Sequence, residues 1–241
     1  MLIRLDVDYV SDYIFWPIYN LDGTLLAVEM ISRFNSVSGN LSIPSDILST
    51  MLSPGQQYDL IREKINFITN KAVWFFDNNI ILVMRIDQEL VNIIIKSDTL
   101  RNEVKSLSFI QLEINEFFPN LSQGKENAAL VSLSNSFSLW LDNFGSGKIN
   151  LKPLNDGLLS CVKMDHSFTE HLLSRAENAL IMAQLLRIIK THYQEVRVVA
   201  KGIDTPEHLN KVKKLDIDAI QGELWPAVHF DELAIQADFF P

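Results

Sequence analysis

Short runs of apolar, β-branched and aromatic residues alternate along this chain with longer stretches of helical period. The first run, Y-I-F-W-P-I-Y, is followed by N-L-D-G and then T-L-L-A-V-E-M. That pattern predicts a β-hairpin with its turn around Asp22-Gly23. Six more strand candidates follow: N-I-I-L-V-M-R-I-D, S-F-I-Q-L-E-I, F-S-L-W-L-D, S-C-V-K-M-D, V-R-V-V-A-K and I-D-A-I-Q-G. Between them lie helical segments. From Glu177 to His192, Ile181, Leu185 and Ile188 are spaced i, i+4, i+7, with Met182 and Ile189 alongside. Thr205-Pro206-Glu207 reads as an N-cap, a proline at the first helical position and an acid in the first turn. An antiparallel first pair followed by alternating strands and helices predicts an α/β fold with a parallel sheet. Eight strand candidates favour a modified (β/α)8 TIM-like barrel whose first strand is antiparallel. The amphipathic segment P-G-Q-Q-Y-D-L-I-R-E-K-I-N-F-I is then expected to lay its apolar side on the barrel. No low-complexity linker or fixed-period repeat divides the chain, so residues 1–241 read as a single domain.

In such barrels the functional residues sit where the strands end at their carboxyl termini. Here the runs close on Glu29, Arg85, Glu113, Asp142, Lys163, Lys201 and Gln221. One polar residue after one strand is an ordinary loop start, whereas seven closing seven runs mark a shared mouth. L-W-L-D-N-F-G-S-G-K-I-N-L shows the pattern best: a strand, the carboxylate of Asp142, the amide of Asn143, then a loop punctuated by glycine.

Composition narrows the chemistry. A hydrophobic content of 47% supports an extensive core, and a net charge of −9 argues against binding nucleic acid through its phosphates. Cys161 is the only cysteine, which leaves no disulfide framework and no cysteine-rich zinc site. Asp6 and Asp8 interrupt the start where a signal peptide needs an apolar run, and no apolar run is long enough to span a bilayer. These features point to a soluble cytoplasmic protein. The five histidines (166, 171, 192, 208 and 229) have no paired metal spacing, and Ser32, Ser146 and Ser160 lack a triad motif. Lys211, Lys213 and Lys214 read as a solvated helix face, and Trp16, Trp74, Trp140 and Trp225 as core or rim aromatics.

The ordered set of strand ends resembles the EAL domain, the cyclic di-GMP phosphodiesterase family, over nearly the whole chain. V-E-M-I-S-R-F resembles the Glu-Ala-Leu signature, with Glu29 and Arg33 in place and Met30-Ile31 for Ala-Leu. L-E-I-N-E carries Glu113 and Glu116 of an E-x-T-E element, and L-D-N-F-G-S-G is similar to D-D-F-G-T-G. V-K-M-D-H-S-F matches the strand of the active-site lysine, Lys163. V-V-A-K-G-I-D-T resembles V-V-A-E-G-V-E-T, with Lys201 and Asp204 substituted, and Gln221-Gly222 matches a late Q-G element. F-F-P-N-L-S-Q-G-K-E-N, K-G-I-D-T-P-E and Q-G-E-L-W-P-A-V are similar to the short, degenerate branch of the family. The members of that branch bind the FlhD subunit of the flagellar master activator FlhDC, as anti-activators that repress motility.

The resemblance implies a two-metal site for magnesium or manganese, built on hard oxygen ligands. Its ligand positions correspond to Glu29, Arg85 (normally Asn), Glu113, Asp142 and Asn143 (normally Asp). Lys201 replaces a glutamate close to the metals, Glu116 matches the anchor of the glycine loop, and Lys163 matches a residue that positions the attacking water. Arg85 adds a positive charge, Asn143 removes a negative one and Lys201 reverses a sign, which leaves the site four units more positive than the family pattern. A unit charge about 4 Å from another is worth roughly 4 kcal/mol at an effective dielectric near 20. The expectation is therefore an inactive enzyme with no resident metal or cofactor, whose retained carboxylates pair with Arg85 and Lys201. Its implied role is protein contact, with FlhD of FlhDC as partner. Two alternatives stay open. One is a metal-free cyclic di-GMP receptor using Arg33, Arg85, Lys163, Lys201 and Gln221; the other is a weak phosphodiesterase.

Overall fold

The structure is a computed structural model that describes residues 2–4, 8–37, 42–44, 47–48, 51–147, 151–174 and 176–237. Its strands are β1 (Leu2–Arg4), β2 (Asp8–Asn20), β3 (Leu25–Ser36), β4 (Ser42–Pro44), β5 (Ile81–Arg85), β6 (Ile110–Asn115), β7 (Leu139–Phe144), β8 (Cys161–Met164), β9 (Arg197–Ala200) and β10 (Ala219–Ile220). β2 and β3 form the expected hairpin. Asp22 Oδ1 accepts from Thr24 N at 2.9 Å, and Gly23 adopts a φ of 88° that a side chain would resist. β3 and β5 to β10 pair in parallel, while β2 lies antiparallel to both β3 and β10. The order β2-β10-β9-β8-β7-β6-β5-β3, with β3 paired back to β2, closes a ring of eight strands.

Strand alternation sets what fills the ring, because every second side chain points inward. Ile18, Ala27, Val83, Trp140, Cys161, Val199 and Ala219 form a buried floor layer. The small residues Ala27, Ala219 and Cys161 leave room for Trp140, which is fully buried and donates through Nε1 to Gln111 Oε1. Moving two residues towards the carboxyl end from Ala27, Val83, Trp140, Cys161, Val199 or Ala219 gives Glu29, Arg85, Asp142, Lys163, Lys201 or Gln221. Gln111 leads to Glu113 by the same step. Strand pleating therefore delivers all seven strand-end residues to one mouth.

Helices cover the outside. In α1 (Pro54–Asn70) the predicted apolar side is Ile61, Ile65 and Ile68, buried against the barrel. Each such burial contributes roughly 1.5–3 kcal/mol relative to exposure. Ser53 and Gln56 close a capping box at its start. The remaining helices are α2 (Ala72–Asn78), α3 (Gln88–Lys96), α4 (Asp98–Ser106), α5 (Ala128–Ser134), α6 (Lys152–Asn155), α7 (His166–Ser174), α8 (Ala176–His192) and α9 (Pro206–Val212). α9 begins on the expected cap, with Thr205 Oγ1 accepting from His208 N at 3.1 Å.

Three expectations change. β3 does not end at Glu29: it runs on to Ser36 beside β2, and β1 and β4 join this arm beyond the barrel. Neither short strand is signalled by the sequence pattern. In α8 the buried positions are Leu186 and Ile189, and Ile188 is exposed, so the packed stripe is rotated from the predicted one. The side chains of Ile181 and Met182 lie outside the described residues, as do Lys148, Ile149 and Asn150 of the glycine loop.

Candidate functional site

The deepest part of the mouth is an ion-pair cluster. Lys163 is fully buried, with Nζ 2.6 Å from Glu29 Oε2, 2.8 Å from Glu113 Oε2 and 3.9 Å from Asp142 Oδ1. Its neighbour across β8 and β9 is Val199 of the floor, one step below Lys201, which accounts for its depth. Lys201 Nζ sits higher, 2.5 Å from Asp142 Oδ1 and 2.6 Å from Asn143 Oδ1. Gln221 Nε2 donates to Glu29 Oε2 at 3.0 Å.

Burial and charge act against each other here. Burial pushes the Glu113 carboxyl up to about 8; Lys163 opposes this, while Glu29 and Asp142 add to it. Burial raises Glu29 and Asp142 adds to this, yet it ends below its ordinary value because the charge of Lys163 and the hydrogen bonds from Lys163 and Gln221 together prevail. Asp142 follows the same logic: burial raises it, and Lys163 and then Lys201 bring it down. Burial lowers Lys163, yet the carboxylates of Glu113, Glu29 and Asp142 hold it well above the usual lysine range. At neutral pH Glu113 is therefore mostly protonated, and the two ionised carboxylates face two ammonium groups.

The arrangement does not suit a pair of divalent ions. The position beside Asp142 and Asn143 is taken by an ammonium group, and Asn143 brings no charge. Arg85 adds a cation at the rim. One expectation is corrected at this point: the retained carboxylates pair with Lys163 and Lys201, not with Arg85. Arg85 closes β5 with its side chain exposed, and it makes no ion pair or hydrogen bond among the described residues.

The glycine loop keeps its anchor. Glu116 Oε1 accepts from Gly145 N and Oε2 from Ser146 Oγ, both at 2.8 Å. Gly145 has a φ of 97°, and a Cβ there would lie 2.5 Å from the Phe168 ring. Asn143 adopts a left-handed φ of 58°, which asparagine tolerates better than most residues. In the Q-G element a Cβ on Gly222 would meet the Ile203 carbonyl oxygen at 2.3 Å, so only glycine fits behind Gln221.

Above the cluster the mouth opens into a cleft of about 900 Å³ between β3, α1, α3 and the loop after β6. Arg33, Arg85, Lys201 and Gln221 line it as expected, while Lys163 lies beneath its floor. Asp204 does not reach it. Its Oδ1 accepts from Glu223 N at 2.8 Å and its Oδ2 lies 3.6 Å from His166 Nε2, so it ties two loops together beside the mouth. Among the cleft residues that the sequence reading did not single out are Lys64 and Phe117. Lys64 was detectable, since it interrupts the apolar stripe of Ile61, Ile65 and Ile68. Burial lowers Lys64 to about 8, against the opposite pull of Asp87 and Glu63. Phe117 opens the quoted F-F-P-N segment, but nothing in that pattern places its ring at the cleft.

Other candidates take ordinary roles. Among the described residues no group of three or more His, Cys, Asp and Glu side chains could hold a metal ion. Lys211 pairs with Glu207 at 2.7 Å and donates to the Leu173 carbonyl at 2.9 Å. Trp16 lines the cleft rim, and Trp225 packs on Tyr19. No helix among the described residues is long and apolar enough to cross a membrane.

Comparison with known proteins places these features in context. The EAL domain family profile matches residues 12–226. YdiV of Escherichia coli K12 is 30% identical over 235 residues, covering 97% of this chain and 98% of that protein. The "Anti-FlhC(2)FlhD(4) factor YdiV" of Salmonella typhimurium LT2 is 28% identical over 233 residues, with the same coverage. Among solved structures, the EAL-like domain protein YdiV superposes with a TM-score of 0.86 at 30% identity, covering 93% of this chain and 94% of that one.

Proposed function

The chain belongs to the EAL domain family, and from the state of its barrel mouth we propose that it no longer hydrolyses phosphodiesters and acts instead as an anti-activator of the FlhC(2)FlhD(4) type, by direct contact with FlhD. The observation that carries this reading is Lys201, whose ammonium bridges Asp142 and Asn143. Two-metal hydrolysis requires carboxylates free to hold divalent ions, which then activate water and neutralise the phosphate. Here each ionised mouth carboxylate already has a lysine partner from the same chain. The partner is inferred from relatives named as anti-FlhC(2)FlhD(4) factors, which align along nearly their whole length. Blocking that activator would repress flagellar and motility genes.

The test combines two measurements. Purified protein mixed with FlhD should elute as a complex, and it should release no product from cyclic di-GMP in excess magnesium or manganese. Turnover typical of the family would overturn the first half. Absence of a complex at concentrations on the order of tens of micromolar would overturn the second.

A second reading rests on the open cleft. Arg33 and Arg85 are unpaired there, and the buried Ser32 Oγ and Gln221 Oε1 have no hydrogen-bond partner. These groups could hold the phosphates and bases of cyclic di-GMP without metal. It stays second because Lys163 is committed to Glu29 and Glu113. Micromolar binding by calorimetry would bring it forward.

A further inference from the structure

We infer that the mouth cleft is a docking site for an acidic, apolar-faced segment of a partner protein, an inference that rests on the protein-contact reading above and assigns it a surface. Charge is the first argument. The chain carries a net −9, yet Arg33, Lys64 and Arg85 converge on this one concavity. None of the three makes an ion pair or hydrogen bond among the described residues. Of the acids nearby, Glu29 is held by Lys163 and Gln221 and Asp142 by Lys201, while Asp87 caps α3 and, with Glu63, acts on Lys64. The cleft therefore offers the unpaired charge of Arg33 and Arg85, with Lys64 beside them, on an acidic protein, which favours an acidic visitor.

Apolar surface shares the cleft with those cations. Leu60, Ile61, Leu90, Ile93 and Phe118 line it, and so does Phe117, with 80% of its surface exposed. Phe117 N is held by Asn115 Oδ1 at 2.9 Å, which fixes the turn that carries the ring outward. An exposed phenylalanine and unpaired arginines lining one cleft are residue types enriched in protein interfaces.

A cyclic dinucleotide has no aliphatic surface to set against Leu60, Leu90 and Ile93. A helical or extended segment carrying Asp or Glu together with Leu, Ile or Val would engage both the cations and the apolar lining. The unpartnered Ser32 Oγ and Gln221 Oε1 on the floor can bond the backbone of such a segment. At about 900 Å³ the cleft also stands near the upper end of small-ligand sites, which suits a peptide turn.

Two probes separate this inference from the choice of partner. The first is a labelled peptide of Glu and Leu at helical spacing, with its Lys-for-Glu counterpart, followed by fluorescence anisotropy. The second is FlhC(2)FlhD(4). The acidic peptide should bind and the basic one should not, with affinity falling as salt rises. Arg33→Glu with Arg85→Glu should weaken binding on the order of tenfold or more. Phe117→Ser should weaken it without changing the salt dependence. Lys105→Glu, a charge change equal to that of either arginine substitution alone and placed on α4 away from the cleft, should leave binding unchanged. All four positions are exposed, and a thermal melt of each variant confirms that it is folded. Equal binding of the two peptides, or binding unaltered in the double arginine variant, would overturn the inference. So would loss of cyclic di-GMP binding alone in that variant. Should the acidic peptide bind through the cleft while FlhC(2)FlhD(4) does not, the partner assignment falls and the docking surface stands.

Discussion

Restoring the family pattern in the mouth should restore metal binding, and the structure indicates by how much. The perturbation is Arg85→Asn, Asn143→Asp and Lys201→Glu together. In the present chain Lys201 Nζ lies 2.5 Å from Asp142 Oδ1 and 2.6 Å from Asn143 Oδ1, largely shielded from solvent. A unit charge about 4 Å from its neighbour is worth roughly 4 kcal/mol at an effective dielectric near 20, and relaxation can be taken to halve that. Four units of charge then amount to about 8 kcal/mol, or nearly six powers of ten in affinity. That is an upper bound, because site rearrangement will absorb part of it. Wild-type protein should leave Mn²⁺ free at about 10 mM, whereas the triple variant should take it up at about 100 μM or below. Electron paramagnetic resonance of free Mn²⁺ reads this directly. A melting temperature that rises with added metal gives an independent check. Lys201→Glu alone carries two of the four charge units and should recover about half of the free-energy gain. Without metal it should melt early, since two carboxylates then share the place of one ion pair. Micromolar Mn²⁺ uptake by wild type, or a triple variant no better than wild type, would refute the reasoning.

Two further outcomes follow from the buried cluster and its loop. Glu113 has its folded pKa raised to about 8, so its contribution to stability is fully present below the ordinary carboxylate range and is lost as pH rises through about 8. Denaturant titrations between pH 5 and 9 should show that decline, up to about 5 kcal/mol, and Glu113→Gln should flatten it; an unchanged slope would contradict the assignment. Glu116→Ala removes the acceptor for Gly145 N and Ser146 Oγ. It should cost about 1–2 kcal/mol and speed amide exchange at Gly145 and Ser146, with β7 unaffected.

Much of this molecule is legible in its sequence because barrel strands are apolar on both faces. The eight runs stand out, and the polar residue that ends each run stands out with them. Glu113 and Lys163 could even be judged deep, since L-E-I and V-K-M set them between apolar neighbours. The arm was harder to see. Ser32, Phe34 and Ser36 share a face, and β1 and β4 are three-residue strands whose pairing depends on β2 and β3 rather than on their own pattern. The partner of each charge was legible only in part: Lys201 meets a retained carboxylate as expected, whereas Arg85 does not. Arg85 and Lys201 look alike as strand ends, yet one meets Asp142 and the other opens to the cleft, because side-chain direction depends on strand stagger and depth. Asp204 shows the same limit: its motif places it near Lys201, while its carboxylate bonds the loop behind.

The two-residue step between floor and mouth has an evolutionary consequence. The apolar packing of the barrel rests on one set of inward positions and the charges on the set directly above, so substitutions in the upper set need not disturb the packing of the lower one. A lineage could exchange Arg85 and Lys201 one at a time while Val83 and Val199 beneath them kept the barrel packed. Catalysis could thus be lost gradually by a protein that remained intact at every stage and was free to be selected for another task.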